Sequence, residues 1–259
     1  MRKKATVLLE HYLKQLKLPT ILREYKKLSE ASRKDQACYE TFLLRLMERE
    51  IQDREVRARE RRIKAARFPV IKTVDSFIFN EQPSINQVLV RELMAGEYID
   101  KHENILLIGN SGTGKSHLAT GMAFAACQEG RKVRFFSATG LVTTLLERRE
   151  EKQLERFNRQ LERLDLIVLD ELGYIPFSKA GAELLFEVVS RAYERTSLIV
   201  TTNLPFENWT EVLGSQRLTG ALLDRLTHRV HILEANGLSF RLTDSKRRTR
   251  RRKKGDSSK

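Results

Sequence analysis

Eight consecutive residues, Gly109, Asn110, Ser111, Gly112, Thr113, Gly114, Lys115 and Ser116, match the spacing G-x-x-x-x-G-K-S. The three glycines let a backbone curl with its N–H groups turned inward, and a following helix N-terminus adds the positive end of its dipole. Such a cradle holds phosphate oxygens. Lys115 can then reach the outer phosphates of a nucleotide, and the Ser116 hydroxyl can ligate Mg²⁺. The flanks support the match, because an apolar strand-like run from Asn104 leads in and a helix-forming run from Ser116 leads out. ATP with Mg²⁺ is the expected ligand.

A second run, Leu166–Leu172, is a buried-strand pattern ending in two carboxylates, Asp170 and Glu171. In a phosphate-loop fold this strand end lies beside the loop, so Asp170 can hold Mg²⁺ through its water shell. Glu171 is then placed to orient and deprotonate an attacking water, unless it only caps the following turn. The strand Ser197–Thr202 ends at Asn203, which is either a γ-phosphate or water contact or a simple turn former. The segment from Gly214 to Arg229 supplies Arg217, Arg225 and Arg229. An arginine there can complete the site of a neighbouring subunit, and Arg225 is the preferred candidate, with Arg217 behind it.

The elements that must position these groups follow from periodicity. Strands are expected at Asn104–Gly109, Lys132–Ser137, Asp165–Asp170, Ser197–Thr202 and Arg229–Glu234. Helices are expected at Lys115–Glu129, Thr139–Leu164 in two pieces, and Ala180–Arg195. Short apolar strands alternating with helices imply an α/β fold with a parallel five-stranded sheet covered on both faces. Residues 5–67 read as helix throughout, broken at Pro19, with a third helix from Tyr39 to about Ala66. Pro69 marks the boundary, giving expected domains 1–67, 68–242 and a basic tail 243–259.

Charge separates along the same lines. The chain of 259 residues carries a net charge of +14, with 48 Lys and Arg against 34 Asp and Glu. Residues 1–67 hold 19 basic against 10 acidic side chains, and residues 241–259 hold 10 against 2, so the central domain is near neutral. Basic ends around a neutral core point to a polyanion, nucleic acid before an anionic membrane. On the third helix Arg54, Arg57, Arg61 and Lys64 share one face as DNA contacts or, with Asp53, Glu55 and Glu60, as a solvated surface. Tail residues Arg247, Arg248, Arg250, Arg251 and Arg252 are further candidates. Cys38 and Cys127 lack metal-like spacing and read as buried free thiols. With no membrane-length apolar run and an early break at Glu10 and His11, a soluble cytoplasmic protein is expected.

Taken with the wording between the motifs, residues 70–242 resemble the AAA+ ATPases, and among them the IstB family of transposition helpers, relatives of DnaC-type helicase loaders. The likeness runs through NILLIGNSGTGKSHLA, LIVLDELGYIPF, LIVTTNLPFENW and LTGALLDRLTHRVHILEANGLSFR. It implies an initiator-like ATPase that oligomerises on duplex DNA, with ATP sites at subunit interfaces, and serves a partner transposase. It adds His117 to the nucleotide contacts. It also implies an extra helix within Thr139–Leu164, whose Arg148, Arg149, Arg156, Arg159 and Arg163 are candidate DNA contacts unless the interleaved glutamates make it a plain surface helix. Only 25 residues follow Glu234, so little or no C-terminal lid is expected, with Arg241 as the substitute sensor arginine. The competing readings are a replicative helicase loader, whose N-terminal region would grip protein, and a small-molecule kinase, which explains neither basic end.

Overall fold

The computed structural model describes residues 2–240. They fall into two compact units that divide between Arg61 and Arg62, inside a helix and ahead of Pro69. The reason is local. Ala66 at the end of that helix is fully buried in the core of the second unit, with Ile63 and Phe68 packed beside it. Arg62 donates to the Cys127 carbonyl at 3.0 Å.

The first unit consists of α1 (Arg2–Gln15), α2 (Pro19–Lys34) and α3 (Tyr39–Ala66) as far as Arg61. Pro19 occupies the first turn of α2, where its missing N–H costs nothing. No side chain at the N-cap position, Leu18, satisfies the free N–H groups of that turn. Glu50 of α3 does so instead: its Oε2 accepts from the Thr20 and Ile21 N–H groups at 2.9 and 3.0 Å. Leu13, Ile21 and Leu46 form the small buried core.

The second unit begins with two single helical turns, Val74–Ser76 and Phe79–Glu81, then α4 (Gln87–Met94) and α5 (Glu97–Asp100). The sheet contains β1 (Asn104–Gly109), β2 (Val133–Ser137), β3 (Leu166–Leu172), β4 (Ser197–Thr202) and β5 (Val230–Ala235). All neighbours are parallel, in the order β2-β3-β4-β1-β5. Between the strands run α6 (Lys115–Gln128), α7 (Ala138–Glu150), α8 (Leu154–Leu161), α9 (Lys179–Ala192), the short α10 (Trp209–Leu213) and α11 (Gln216–Thr227). Alternate strand residues feed opposite faces, as the two-residue period requires. Ile105, Leu107, Leu166 and Val168 join the core under α6, while Leu106, Ile167, Leu169 and Val200 join the one under α7 and α9.

Cys127 is buried in α6 and burial pushes its thiol up to about 11. Cys38 corrects the expectation of a buried thiol, because it is exposed just ahead of α3. Among the described residues no helix is long and apolar enough to cross a membrane.

Candidate nucleotide site and basic groove

The strand order decides which chain ends meet. With β4 beside β1 and β3 beyond it, the ends of all three strands open onto one crevice, the usual ligand position in an open parallel sheet. There a cavity of about 230 Å³ is lined by residues 111–117, Glu171, Tyr174, Thr201, Thr202 and Asn203. Its other wall comes from the segment between Pro69 and β1, including Phe77, Ile78 and Gln82, and from Phe240.

Gly109 has φ of +145°, and a Cβ on it would lie 2.2 Å from the Ala235 carbonyl oxygen. Close approach of β5 therefore demands this glycine, in addition to the curl expected from the motif. Lys115, 8% exposed, lies over the loop and donates to the Gly109 and Asn110 carbonyls at 2.7 and 2.6 Å. Thr113 closes the turn by donating to the Asn110 carbonyl at 2.8 Å. Ser116 lines the cavity at the start of α6.

His117 lies against the wall as well as the loop. Its Nε2 is 2.9 Å from the Thr73 carbonyl, which can only accept, so that nitrogen carries the proton. Phe77 meets its ring edge-on at 5.4 Å between centroids. Burial lowers the pKa of His117 despite the Thr73 bond, which favours the neutral ring.

At the end of β3 the pairing with β4 breaks between Leu169 and Leu172. Glu171 has φ of +60°, a left-handed conformation that costs a non-glycine residue energy and gathers at functional sites. The irregularity turns the exposed Glu171 side into the cavity while Asp170 stays 8% exposed. Thr201 joins the two: its hydroxyl donates to Asp170 Oδ1 at 2.6 Å and accepts from the Glu171 N–H at 2.9 Å. Nothing in one sequence singled out Thr201, although a threonine two residues before Asn203 at a buried strand end was a usable signal. Asn203 is exposed and lines the cavity. The oxygens of Ser116 and Asp170 suit Mg²⁺, which keeps most of its waters and needs one or two protein ligands beside phosphate. Among the described residues no cluster of three or more His, Cys, Asp or Glu is arranged to hold a metal alone.

Arg225 is not among the residues lining this cavity. Its Nη1 donates to the Ala221 carbonyl at 2.8 Å, and its guanidinium rests 4.8 Å over the Phe186 ring. Arg217 is exposed on α11. After β5 the chain returns to the loop, where the Phe240 N–H donates to the Gly112 carbonyl at 2.9 Å. Arg241, Arg247, Arg248, Arg250, Arg251 and Arg252 lie outside the described residues.

The candidate DNA contacts divide. Arg54 is tied to Glu50 and to the Lys17 carbonyl in the turn before α2, and Arg57 to Asp53 and to Thr20 of α2, so both brace that region against α3. Arg61 and Lys64 are exposed. Arg148 pairs with Glu151 at 2.7 Å, and Arg149 is exposed. Arg148 also lines a groove of about 330 Å³ in the second unit, with Arg67, Arg134 and Arg156 around Phe136 and Phe157. Burial and the neighbouring Arg67 charge lower the pKa of Arg134. Arg67 reaches this groove from a position far from α7 and α8 in sequence, whereas Arg134 stands on β2 just ahead of α7.

A phosphate loop on β1, an Asp-Glu pair on β3 and a polar β4 end on a 2-3-4-1-5 parallel sheet define an AAA+ nucleotide-binding protein. The chain belongs to the family described as IstB-like ATP binding protein, which matches residues 11–248. It is 36% identical over 239 residues to a protein described as ATP-binding from insertion sequence IS21 of Pseudomonas aeruginosa, covering 92% of this chain and 90% of that one. A counterpart from insertion sequence IS5376 of Geobacillus stearothermophilus is 35% identical over 92% of this chain and 95% of its own. Solved structures share the fold. AMPPCP-bound DnaA from Aquifex aeolicus has a TM-score of 0.54 and 20% identity, with 65% of this chain and 51% of that chain covered. The DnaC helicase loader has a TM-score of 0.50 and 19% identity, with 57% and 87% covered. The chain thus spans about half of the DnaA chain.

Proposed function

We propose that this protein hydrolyses ATP to control its own assembly on duplex DNA and so prepares a target site for a partner transposase. The observation that carries the reading is the single cavity onto which the phosphate loop, Glu171, Asn203 and the Asp170-bound Thr201 converge. Glu171 holds a water and takes its proton as the water oxygen bonds to the γ-phosphorus. The bond to the bridging oxygen of ADP then breaks, and Lys115 with the loop N–H groups offsets the charge on the phosphate oxygens. Ser116 and Asp170 would hold Mg²⁺, which would supply positive charge against the phosphate oxygens. Arg225 acts on the site of the next subunit. Its absence from its own cavity and its partly exposed seat on Phe186 support that role.

The groove of Arg67, Arg134, Arg148 and Arg156, with Arg61, Lys64, Arg149 and the basic tail, supports contacts to DNA phosphates, which give sequence-tolerant, salt-sensitive binding. Relatives that reside in insertion sequences support the transposase as partner. Filter binding of a duplex should strengthen with ATP, and Glu171→Gln should hold the ATP-bound, DNA-bound state while turnover falls by about 100-fold or more. Equal, weak retention with and without ATP in both proteins would sink the proposal.

A further inference from the structure

We infer that Gln82 is a positioning residue for the nucleotide: it latches the segment after β5 against the phosphate loop and so fixes a loop peptide that meets phosphate. The inference rests on the cavity being the ATP site. Residues 236–240 follow β5 and run along the loop. Ala235 packs against Gly109 and Ser239 against Gly112, and the Phe240 N–H donates to the Gly112 carbonyl at 2.9 Å. Gly112 has φ of +80°, and a Cβ there would collide with Ser239, so the close approach needs a glycine. The C=O of Gly112 and the N–H of Thr113 belong to one planar trans peptide and point in opposite directions. Holding the carbonyl therefore orients the Thr113 N–H, one of the loop groups that meet phosphate oxygens.

The segment has little apolar hold of its own. Leu238 is 83% exposed and Phe240 is exposed as well. Stretches with few buried contacts open easily unless hydrogen bonds keep them closed. Two bonds from the segment between Pro69 and β1 do so. Gln82 donates through Nε2 to the Leu238 carbonyl at 2.8 Å, and Ser84 Oγ accepts from the Asn236 N–H at 3.1 Å. Ser84 and Asn236 are open to water, whereas Gln82 is 2% exposed, so the Gln82 bond carries the greater part of the hold. Gly237 belongs to the same device, because a Cβ there would collide with the Gln82 amide. Gln82 thus acts on the nucleotide through Leu238, Phe240 and Gly112 without needing to touch it.

Calorimetric binding of ATP, ADP and inorganic pyrophosphate to the full chain tests this. All three engage the loop, and pyrophosphate does so without a base. Gln82→Leu keeps the bulk and removes the donor, so it should weaken all three alike, by about five- to tenfold, the equivalent of one lost hydrogen bond. Turnover at saturating ATP should change less than about twofold, since uniform binding alone is lost. Amide exchange at residues 109–114 and 238–240 should quicken at least about tenfold while β3 and β4 keep their protection, a pattern that general destabilisation does not give. Phe240→Ala and Phe240→Pro both lose the ring, but only the second loses the N–H. The proline variant should therefore bind pyrophosphate about five- to tenfold more weakly than the alanine variant, and this pair decides the matter should Gln82→Leu not fold. Unchanged affinity and exchange in Gln82→Leu, weakening of ATP without pyrophosphate, or equal affinities in the Phe240 pair would overturn the latch and leave the ATP site standing. Failure of the unaltered protein to bind ATP would overturn the site and the latch together.

Discussion

Thr201 is the residue on which the geometry of Asp170 and Glu171 depends. It ties the side chain of Asp170 to the backbone of Glu171 across a break in the β3–β4 pairing. A hydroxyl in that place keeps Asp170 in one rotamer and leaves Glu171 free to point into the cavity. Thr201→Val keeps the shape and removes both bonds. Turnover of ATP should fall about tenfold, the equivalent of one bond to a charged group at roughly 1.5 kcal/mol, with ATP affinity changed less than about threefold. Steady-state hydrolysis and equilibrium binding on the same preparation separate those two quantities. Asp170, Glu171, Lys115 and Ser116 were all legible in the sequence, because their spacing carries the motif. Thr201 was not, since it acts through partners 30 and 31 positions away along the chain.

At the scale of elements, α2 and α3 show how a charged helix face can be structural. Glu50 serves as a cap supplied by another helix, and Asp53 gathers Thr20, Arg23 and Arg57 beside it. Burial raises the pKa of Glu50, yet the Ile21 N–H, Arg54 and the Thr20 N–H outweigh it and hold the carboxyl below its ordinary 4.5. Arg23 and then Thr20 hold Asp53 down in the same way. A group whose pKa falls on folding stabilises the fold above its ordinary value, and that stability is lost as pH drops through the lowered one. The helical signal of residues 2–61 should therefore weaken below about pH 4.5. Glu50→Gln should lower stability near neutrality by about 1 kcal/mol, the usual worth of a cap, and flatten the acid response. Circular dichroism across an acid titration reads both effects, and an unchanged acid midpoint in the variant would show that Glu50 is not the sensor. The three N-terminal helices were legible from apolar spacing and Pro19. The cap was not, because it joins residues 30 positions apart.

Over the described residues, basic side chains are exposed on α3 and line the α7–α8 groove. If the groove carries DNA phosphate, replacing Arg134 and Arg156 by Gln should reduce the salt slope of duplex binding by about 2 and weaken binding uniformly across sequences. ATP hydrolysis without DNA should stay unchanged, since neither residue lines the nucleotide cavity. Binding measured from low to moderate salt checks this, and an unaltered slope would remove the groove from the DNA path.

The phosphate loop, the strand ends and the five-strand alternation were determined by sequence alone, because local spacing and strand periodicity encode them without help from distant residues. The strand order, which brings β3 and β4 beside the loop, required tertiary structure. So did the wall built by residues 72–82 and Phe240 and the grouping of Arg67 with Arg134, α7 and α8. Each of these depends on which surfaces pack together, and no local pattern records a contact between segments so far apart.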